Sequence, residues 1–374
     1  MTPHFARIEA IHVRVPFRRP LLDATGEYTH RRSWLLRLAD EDGNEGLGEA
    51  ALNPFAEEVT TAALATLMRD LVPALAAGKM PVWTEMAAEG EPGRAAMAAV
   101  EGALGALAAA RSAATDAGAP PAAIPVGAIV TFAGPDAGAD AAAQAVELGF
   151  ETLKLRAGFE RTTDQLVDRV RAVRAAVGPE PRLRIDVAGA WDLETATDRL
   201  QAIEPFRIEF VEQPLAAWDL AGHIALRERV RVPIALDESV DSEYSARAAL
   251  ADRAADVFVI KPARVGGRAA ALRIAASAAE AGVSCVLGTY YETGVGIAAV
   301  LRVAADLRAV PRATSRRPAG PEPAHSLATA GLLVHDLLAT PLPIEKGRMA
   351  VPRAVALDES EVDRYALERF EAKG

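Results

Sequence analysis

The 374-residue chain holds a single cysteine, Cys285, so no intrachain disulfide can brace it. The setting Val283-Ser284-Cys285-Val286-Leu287 reads as a strand with a small apolar filler. Aromatic residues make up only 5% of a chain that is 51% hydrophobic, so Ala, Val, Leu and Ile must build the core. No continuous apolar segment opens the chain, because His4, Arg7, Glu9 and Arg14 interrupt it; the expectation is a cytoplasmic protein without a signal peptide. The most apolar window, Ala95 to Ala110, contains Glu101 and is too short to span a bilayer. Positive charge is not in excess either: 41 basic against 51 acidic residues give a formal charge of −10, which argues against a nucleic acid or an anionic membrane as partner. A glycine-rich phosphate loop is also missing, since Val265-Gly266-Gly267 is too short for a dinucleotide or P-loop fingerprint. That removes the main feature a doubly wound open sheet would carry.

What is present is a long alternation of strands and helices. Strand-like stretches at Ile8–Pro16 and Ser33–Ala39 are followed by Asp42-Gly43-Asn44, a hairpin turn signal, and then by Ala-rich helical sequence from Ala56 to Ala110. These form an N-terminal α+β lobe, residues 1–118. Ala117-Gly118-Ala119-Pro120-Pro121 punctuates the chain before a first barrel strand at Ile124–Val130. Apolar strands then recur near 151, 183, 208, 233, 256 and 283, each followed by a helical stretch such as Thr163–Ala176 or Arg268–Ala281. Seven strand–helix units in series predict an α/β fold, a (β/α)7β TIM-type barrel over 119–322. The eighth strand is expected in or near Val310–Thr314. Residues 323–374 are expected to complete the barrel edge and return to the first lobe, with Gly347–Pro352 as an edge strand, so that both chain ends build the capping domain.

Three acids end three of these strands: Asp186, Glu212 and Asp237, separated by 26 and 25 residues. A strand, a turn, a crossover helix and a second turn consume about that length, so the carboxylates are predicted on one rim of neighbouring parallel strands. Left alone they would repel or hold a proton. A hard divalent cation, Mg²⁺ or alternatively Mn²⁺, removes that cost and leaves positions for substrate oxygens. Any one acid at a strand end is as readily a helix cap. Cations flank the set: Lys154 and Arg156 alternate onto one face of the preceding strand, and Lys261 ends the strand after Asp237. An isolated lysine is ordinarily a surface group, but Lys261 sits between Val257-Phe258-Val259-Ile260 and Pro262.

With Leu153-Lys154-Leu155-Arg156, Ile185-Asp186, Val211-Glu212-Gln213-Pro214, Leu236-Asp237-Glu238-Ser239 and Ile260-Lys261-Pro262 in hand, nearly the whole chain resembles the enolase superfamily in its muconate lactonizing subgroup. The resemblance implies that Asp186, Glu212 and Asp237 hold Mg²⁺, with Glu238 supporting them, and that barrel-end lysines move a proton beside a substrate carboxylate. It further implies a small-molecule carboxylate as partner and a homo-oligomeric assembly. Gly288-Thr289-Tyr290-Tyr291-Glu292-Thr293-Gly294 contains no His, unlike the mandelate racemase branch. It resembles segments of o-succinylbenzoate synthases and N-acylamino acid racemases, and His325–Leu333 resembles the region before the closing strand of the synthases. Dipeptide epimerases usually carry an Asp-x-Asp pair in the eighth-strand region, which is not found here. Tyr28, Phe55, Tyr290, Glu292 and Thr293 are the substrate-contact candidates, with Trp191 also on the barrel side; each reads equally as an ordinary turn or packing residue.

One departure matters: the family pattern on the second strand is Lys-x-Lys, and here the second place is Arg156. An Arg is neutral in about one molecule per million at pH 7, a penalty of roughly 8 kcal/mol, whereas a buried Lys tuned toward ~7 to 8 costs about 1. Either Lys154 takes the role, or Lys261 is the sole base, or the chain keeps the metal and has lost the chemistry. Racemisation needs groups on both faces of the substrate, whereas syn dehydration needs one. The expectation is therefore an o-succinylbenzoate synthase of menaquinone biosynthesis, a Mg²⁺-dependent lyase. The alternatives are an N-acylamino acid racemase, dipeptide epimerase or muconate-type cycloisomerase, and a carboxylate-binding barrel without turnover.

Overall fold

The computed structural model describes residues 4–23, 26–54, 56–115, 122–131, 134–311 and 322–373. Near the N-terminus β1 (Arg7–Asp23), β2 (Gly26–Ala39) and β3 (Glu45–Ala50) form an antiparallel meander. The β2–β3 turn is the expected one: Gly43 takes φ +80°, and Asp40 Oδ1 accepts the Asn44 N–H at 2.8 Å. Helices α1 (Glu58–Ala76), α2 (Trp83–Ala88) and α3 (Gly90–Thr115) cover one face of this sheet. Gly46 and Gly48 let α3 approach β3 backbone to backbone, since a Cβ on either would stand about 2 Å from the carbonyl oxygen of Ala103 or Ala99. Among the described residues α1 is the one helix long and apolar enough to cross a bilayer, and its stripe Leu64, Met68, Leu71 and Leu75 packs on the cap sheet.

After β4 (Ala123–Pro125) come seven parallel strands, the predicted barrel: β5 (Ala128–Val130), β6 (Thr152–Arg156), β7 (Arg182–Asp186), β8 (Ile208–Glu212), β9 (Ile234–Leu236), β10 (Val257–Ile260) and β11 (Ser284–Leu287). They pair in sequence order, each neighbour reached through an outer helix: α4 (Pro135–Glu147), α5 (Thr163–Val177), α6 (Leu193–Ile203), α7 (Leu220–Arg229), α8 (Glu243–Ala251), then the short α9 (Pro262–Val265) with α10 (Arg268–Glu280). Thr162, Asp192, Asp219 and Ser242 cap α5 to α8 with their side chains, which stops each crossover loop close to the strand it follows. After β11 runs α11 (Gly294–Leu307).

Two expectations about the closing segment need correction. Val310 and Pro311 lie in the turn after α11, residues 312–314 fall outside the described residues, and the gap between β11 and β5 is bridged instead by His325 and Ser326. His325 pairs with Val126, its carbonyl accepts from Gly127 N–H at 2.9 Å, and Ser326 N–H donates to Leu287 O at 2.8 Å. Residues 347–352 likewise do not edge the cap. Their strand β13 (Arg348–Ala350) lies between β12 (Ile344–Glu345) and β4, and the cap edge is β14 (Ala366–Ala372) after α12 (Glu359–Tyr365). The sequence Ala-Leu-Glu-Arg-Phe-Glu-Ala looks helical by composition, yet charged residues are what an exposed edge strand tolerates.

Cap and barrel are joined by a buried carboxylate. Glu49, at the end of β3, accepts from Thr293 Oγ1 at 2.7 Å and from the Thr293 and Gly296 N–H groups at 3.0 Å, so a cap side chain closes the N-terminus of a barrel helix. Glu49→Ala leaves these donors without an acceptor and should cost about 2 to 3 kcal/mol in urea unfolding; a change below about 0.5 kcal/mol would show that the junction does not depend on it.

His325 supplies a second check. Its Nδ1 accepts the Leu287 N–H at 2.9 Å, and burial, assisted by Arg184, lowers its pKa to about 3. The folded state therefore resists a proton that the unfolded chain takes up near pH 6.5. This contribution is intact above pH 6.5 and lost as pH falls toward 3, by up to about 1.4 kcal/mol per pH unit. Urea midpoints at pH 7.5 and 5.5 should converge more in His325→Asn than in the parent; parallel losses would contradict the assignment.

Candidate active site

The rim chemistry begins with where strands stop. Asp186 and Glu212 are the last residues of β7 and β8, and Asp237 and Lys261 directly follow β9 and β10. Pro262 opens α9 and restricts Lys261 to the extended region (φ −104°, ψ 109°) before the chain turns. Just beyond three strand ends, Ala188, Gln213 and Tyr291 take positive φ of 51°, 41° and 61°, a concentration of backbone strain at one rim. Gln213 is locked there by its own side chain: Oε1 accepts the Asp237 and Ser239 N–H groups at 2.9 and 3.2 Å, while Nε2 donates to Leu215 O and Ser239 Oγ.

A cavity of about 170 Å³ opens over this rim, lined on the barrel side by Lys154, Arg156, Asp186, Glu238 and Lys261. Lys154 and Arg156 both point inward from β6, as alternation predicts. The Lys154 ammonium donates to Glu212 Oε1 at 2.7 Å and stands 2.9 Å from Asp186 Oδ2. Arg156 Nη1 reaches the same Asp186 oxygen at 2.6 Å. Lys261 Nζ donates to Asp237 Oδ2 at 2.5 Å and lies 5.0 Å from the centre of the Tyr290 ring.

Sequence reading missed Arg264. It is 3% exposed, donates through Nη1 to Asp237 Oδ1 at 2.6 Å and Asp237 O at 2.7 Å, and through Nε to the Tyr290 hydroxyl at 2.5 Å. It stands three residues beyond Lys261 in a four-residue helix whose every residue is buried, which nothing in Pro-Ala-Arg-Val announces. Ser326, Thr289 and Thr329 also line the cavity, and the last two share a hydrogen bond at 3.0 Å.

Four carboxylates thus face four cations at a buried rim. Burial resists charge on Asp186, but Arg156 and Lys154 prevail and hold it to about 2. Burial likewise opposes Asp237, and Arg264 with Lys261 keep it well below the carboxylate range. Lys154 is held above the ordinary lysine range because Asp186 and Glu212 overcome its burial. Burial and then Asp237 raise Glu238. Glu212 goes the other way from the two aspartates: burial, joined by Asp186, pushes it up to about 8 despite its contact with Lys154. One ammonium between two carboxylates does not neutralise both.

Those observations bear on the expected metal. The donors are hard oxygens on three adjacent strand ends, Glu212 Oε2 is buried without a partner, and Glu212 stays uncompensated, so the residues fit a divalent cation. The carboxylates do not converge as anticipated, however: among the described residues no group of three His, Cys, Asp or Glu is close enough to hold an ion. The lysines stand between them, with Lys154 bridging Asp186 and Glu212, so an ion must displace ammonium groups from the same oxygens.

On the cap side Tyr28, Asn53 and Pro54 line the cavity, with Tyr290 and Tyr291 from the barrel. Phe55 lies outside the described residues. Glu292 and Thr293 are not brought to the cavity wall. Thr293 is committed to Glu49, and Glu292, raised to about 7 by burial, has its charge supported by Arg31 across the junction. Trp191 belongs to the packing behind the barrel wall, under the Arg199 guanidinium at 5.1 Å.

The family model for the N-terminal domain of mandelate racemase and muconate lactonizing enzyme matches residues 7–115, and that for the enolase C-terminal domain-like family matches 137–360. The chain is 38% identical over 249 residues to the o-succinylbenzoate synthase of Thermobifida fusca, covering 65% of this chain and 72% of that enzyme. It is 28% identical over 314 residues to the N-succinyl-L-Arg/Lys racemase of Bacillus cereus, covering 80% and 84%. Against bacterial dipeptide epimerases the match spans about half of their length. The fold is shared with the dipeptide epimerase of Cytophaga hutchinsonii complexed with Mg and the dipeptide D-Ala-L-Val, at a TM-score of 0.78 and 21% identity over 99% of this chain and all of that one. Rim geometry, fold and family models agree: this chain is a member of the enolase superfamily, in its muconate lactonizing enzyme subgroup.

Proposed function

We propose that this protein is a cytoplasmic Mg²⁺-dependent lyase that removes a proton α to a carboxylate and expels water, the o-succinylbenzoate synthase reaction of menaquinone biosynthesis. The observation that carries the reading is the asymmetry of the cavity walls. Lys261, paired with Asp237, is the one lysine on the β10 side, while the β6 wall offers Arg156, bound to Asp186, and Lys154, wedged between Asp186 and Glu212. Similarity to the Thermobifida fusca synthase supports the same choice.

Asp186, Glu212 and Asp237 would hold the cation, which when bound supplies positive charge to the substrate carboxylate. Arg156, permanently charged, orients anionic substrate on the β6 side and does not accept the proton. Burial and Arg264 oppose charge on Lys261, but Asp237 prevails and keeps it an ammonium, so Lys261 takes the α-proton only in its neutral form, once it has shed its own proton, and leaves the electron pair in the enolised carboxylate. As that pair returns to form the carbon–carbon double bond, the neighbouring C–O bond breaks, and the Lys261 ammonium returns its proton to the departing hydroxide. One residue serves as base and then acid, so both events occur on one face, and the balance is loss of water. Tyr290 and Arg264 hold the Lys261–Asp237 corner in place.

Purified protein with Mg²⁺ should convert the hydroxycyclohexadiene precursor to the aromatic product, followed by ultraviolet absorbance; absence of product would end the specific assignment. Lys261→Ala should lower turnover by about 10² to 10⁴-fold. In heavy water an N-acylamino acid should exchange its α-proton in one enantiomer only, and Arg156→Lys should extend exchange to the other. Exchange of both by the parent would favour the racemase reading instead.

Chelation should abolish turnover and Mg²⁺ should restore it. Independently of activity, Mg²⁺ at about 100 times its Kd should stabilise the fold by about 2.7 kcal/mol, an effect missing in Asp237→Asn. Equal melting with and without Mg²⁺ would count against the three-acid site.

A further inference from the structure

Beside the barrel cavity, and sharing Tyr28, Asn53 and Pro54 with it, lies a second cavity of about 230 Å³ in the cap. Its floor is the β1–β2 ribbon. The antiparallel register sets Trp34 opposite His12, Arg32 opposite Arg14 and His30 opposite Pro16. Alternation therefore gathers His12, Arg14, His30 and Arg32 on one face, in a protein whose formal charge is −10. Like charges directly opposed on neighbouring strands destabilise a ladder, and neither Arg14 nor Arg32 has a carboxylate partner among the described residues. Arg14 instead contacts the His30 ring at 3.3 Å. Glu27 is the single carboxylate on the lining.

A second observation is independent of these charges. Trp34 lies on that same face and lines the cavity; it is 1% exposed, and its indole N–H has no partner. His12, whose Nδ1 lies 3.3 Å from Glu368 Oε1, stacks on Trp34 at 4.8 Å to make a flat floor.

We propose that this cap cavity binds a small ligand through an oxyanion, a phosphate or a carboxylate, clamped between Arg14 and Arg32. An oxyanion relieves the opposed guanidiniums by accepting from both. The site is separate from the barrel chemistry and does not depend on the reaction assigned above.

The test is calorimetric titration of the whole protein with inorganic phosphate and, separately, with succinate, at constant ionic strength set with sodium chloride. Saturable one-to-one binding of either anion is expected, and the stronger of the two names the source of the oxyanion. Arg14→Gln/Arg32→Gln should weaken it at least tenfold. Both side chains are exposed, so the variant should fold and, without ligand, melt no lower than the parent. The proposal is overturned by equal affinity in parent and variant, by a response that chloride alone reproduces, or by no heat from either anion at millimolar concentration.

Discussion

Charge is concentrated at the C-terminal rim of the barrel in a place where water is scarce, and the molecule is arranged around that fact. Asp186, Glu212 and Asp237 are each at most 2% exposed, and an isolated carboxylate at such a depth would give up its charge. They are tolerated because Lys154, Arg156, Lys261 and Arg264 stand within salt-bridge distance. The compensation is uneven: the two aspartates are well supplied with cations, and Glu212 is not. Glu212 is therefore the carboxylate whose charge further positive charge would support.

The surrounding structure holds that cluster in register. Gln213 stitches the β8 and β9 rim loops through four hydrogen bonds, and Pro262 ends β10 so that Lys261 is its last extended residue. Arg264 and Tyr290 form a rigid bracket behind Lys261 and Asp237. The cap contributes differently. It is anchored away from the chemistry by Glu49 on α11, while Tyr28, Asn53 and Pro54 reach the cavity. Anchor and cavity wall are thus separate parts of one lobe.

Replacing the second-strand lysine by Arg156 changes what the β6 wall can do without changing its charge. A guanidinium binds carboxylates firmly and keeps its proton, so Arg156 pairs with Asp186 and is no base near neutral pH.

Much of this was legible in order along the chain. Parallel strands joined by crossover helices impose a near-constant interval, so spacings of 26 and 25 residues were enough to align Asp186, Glu212 and Asp237 on neighbouring strands, and alternation sent Lys154 and Arg156 inward together. Long-range partners were not legible, because nothing local encodes them. Arg264 looks like a surface residue until α9 folds under Tyr290; Glu292 and Thr293 look like site residues until Glu49, 244 positions before Thr293, claims that corner. The barrel is closed by His325 and Ser326 and the cap by β14, choices made by which edge groups remained unpaired. The sequence by itself determined the fold class and the strand ends at which acids and lysines stand, since both follow from period and interval. Only the tertiary structure decided which cation meets which carboxylate, because those pairings depend on distances across the barrel that no local pattern contains.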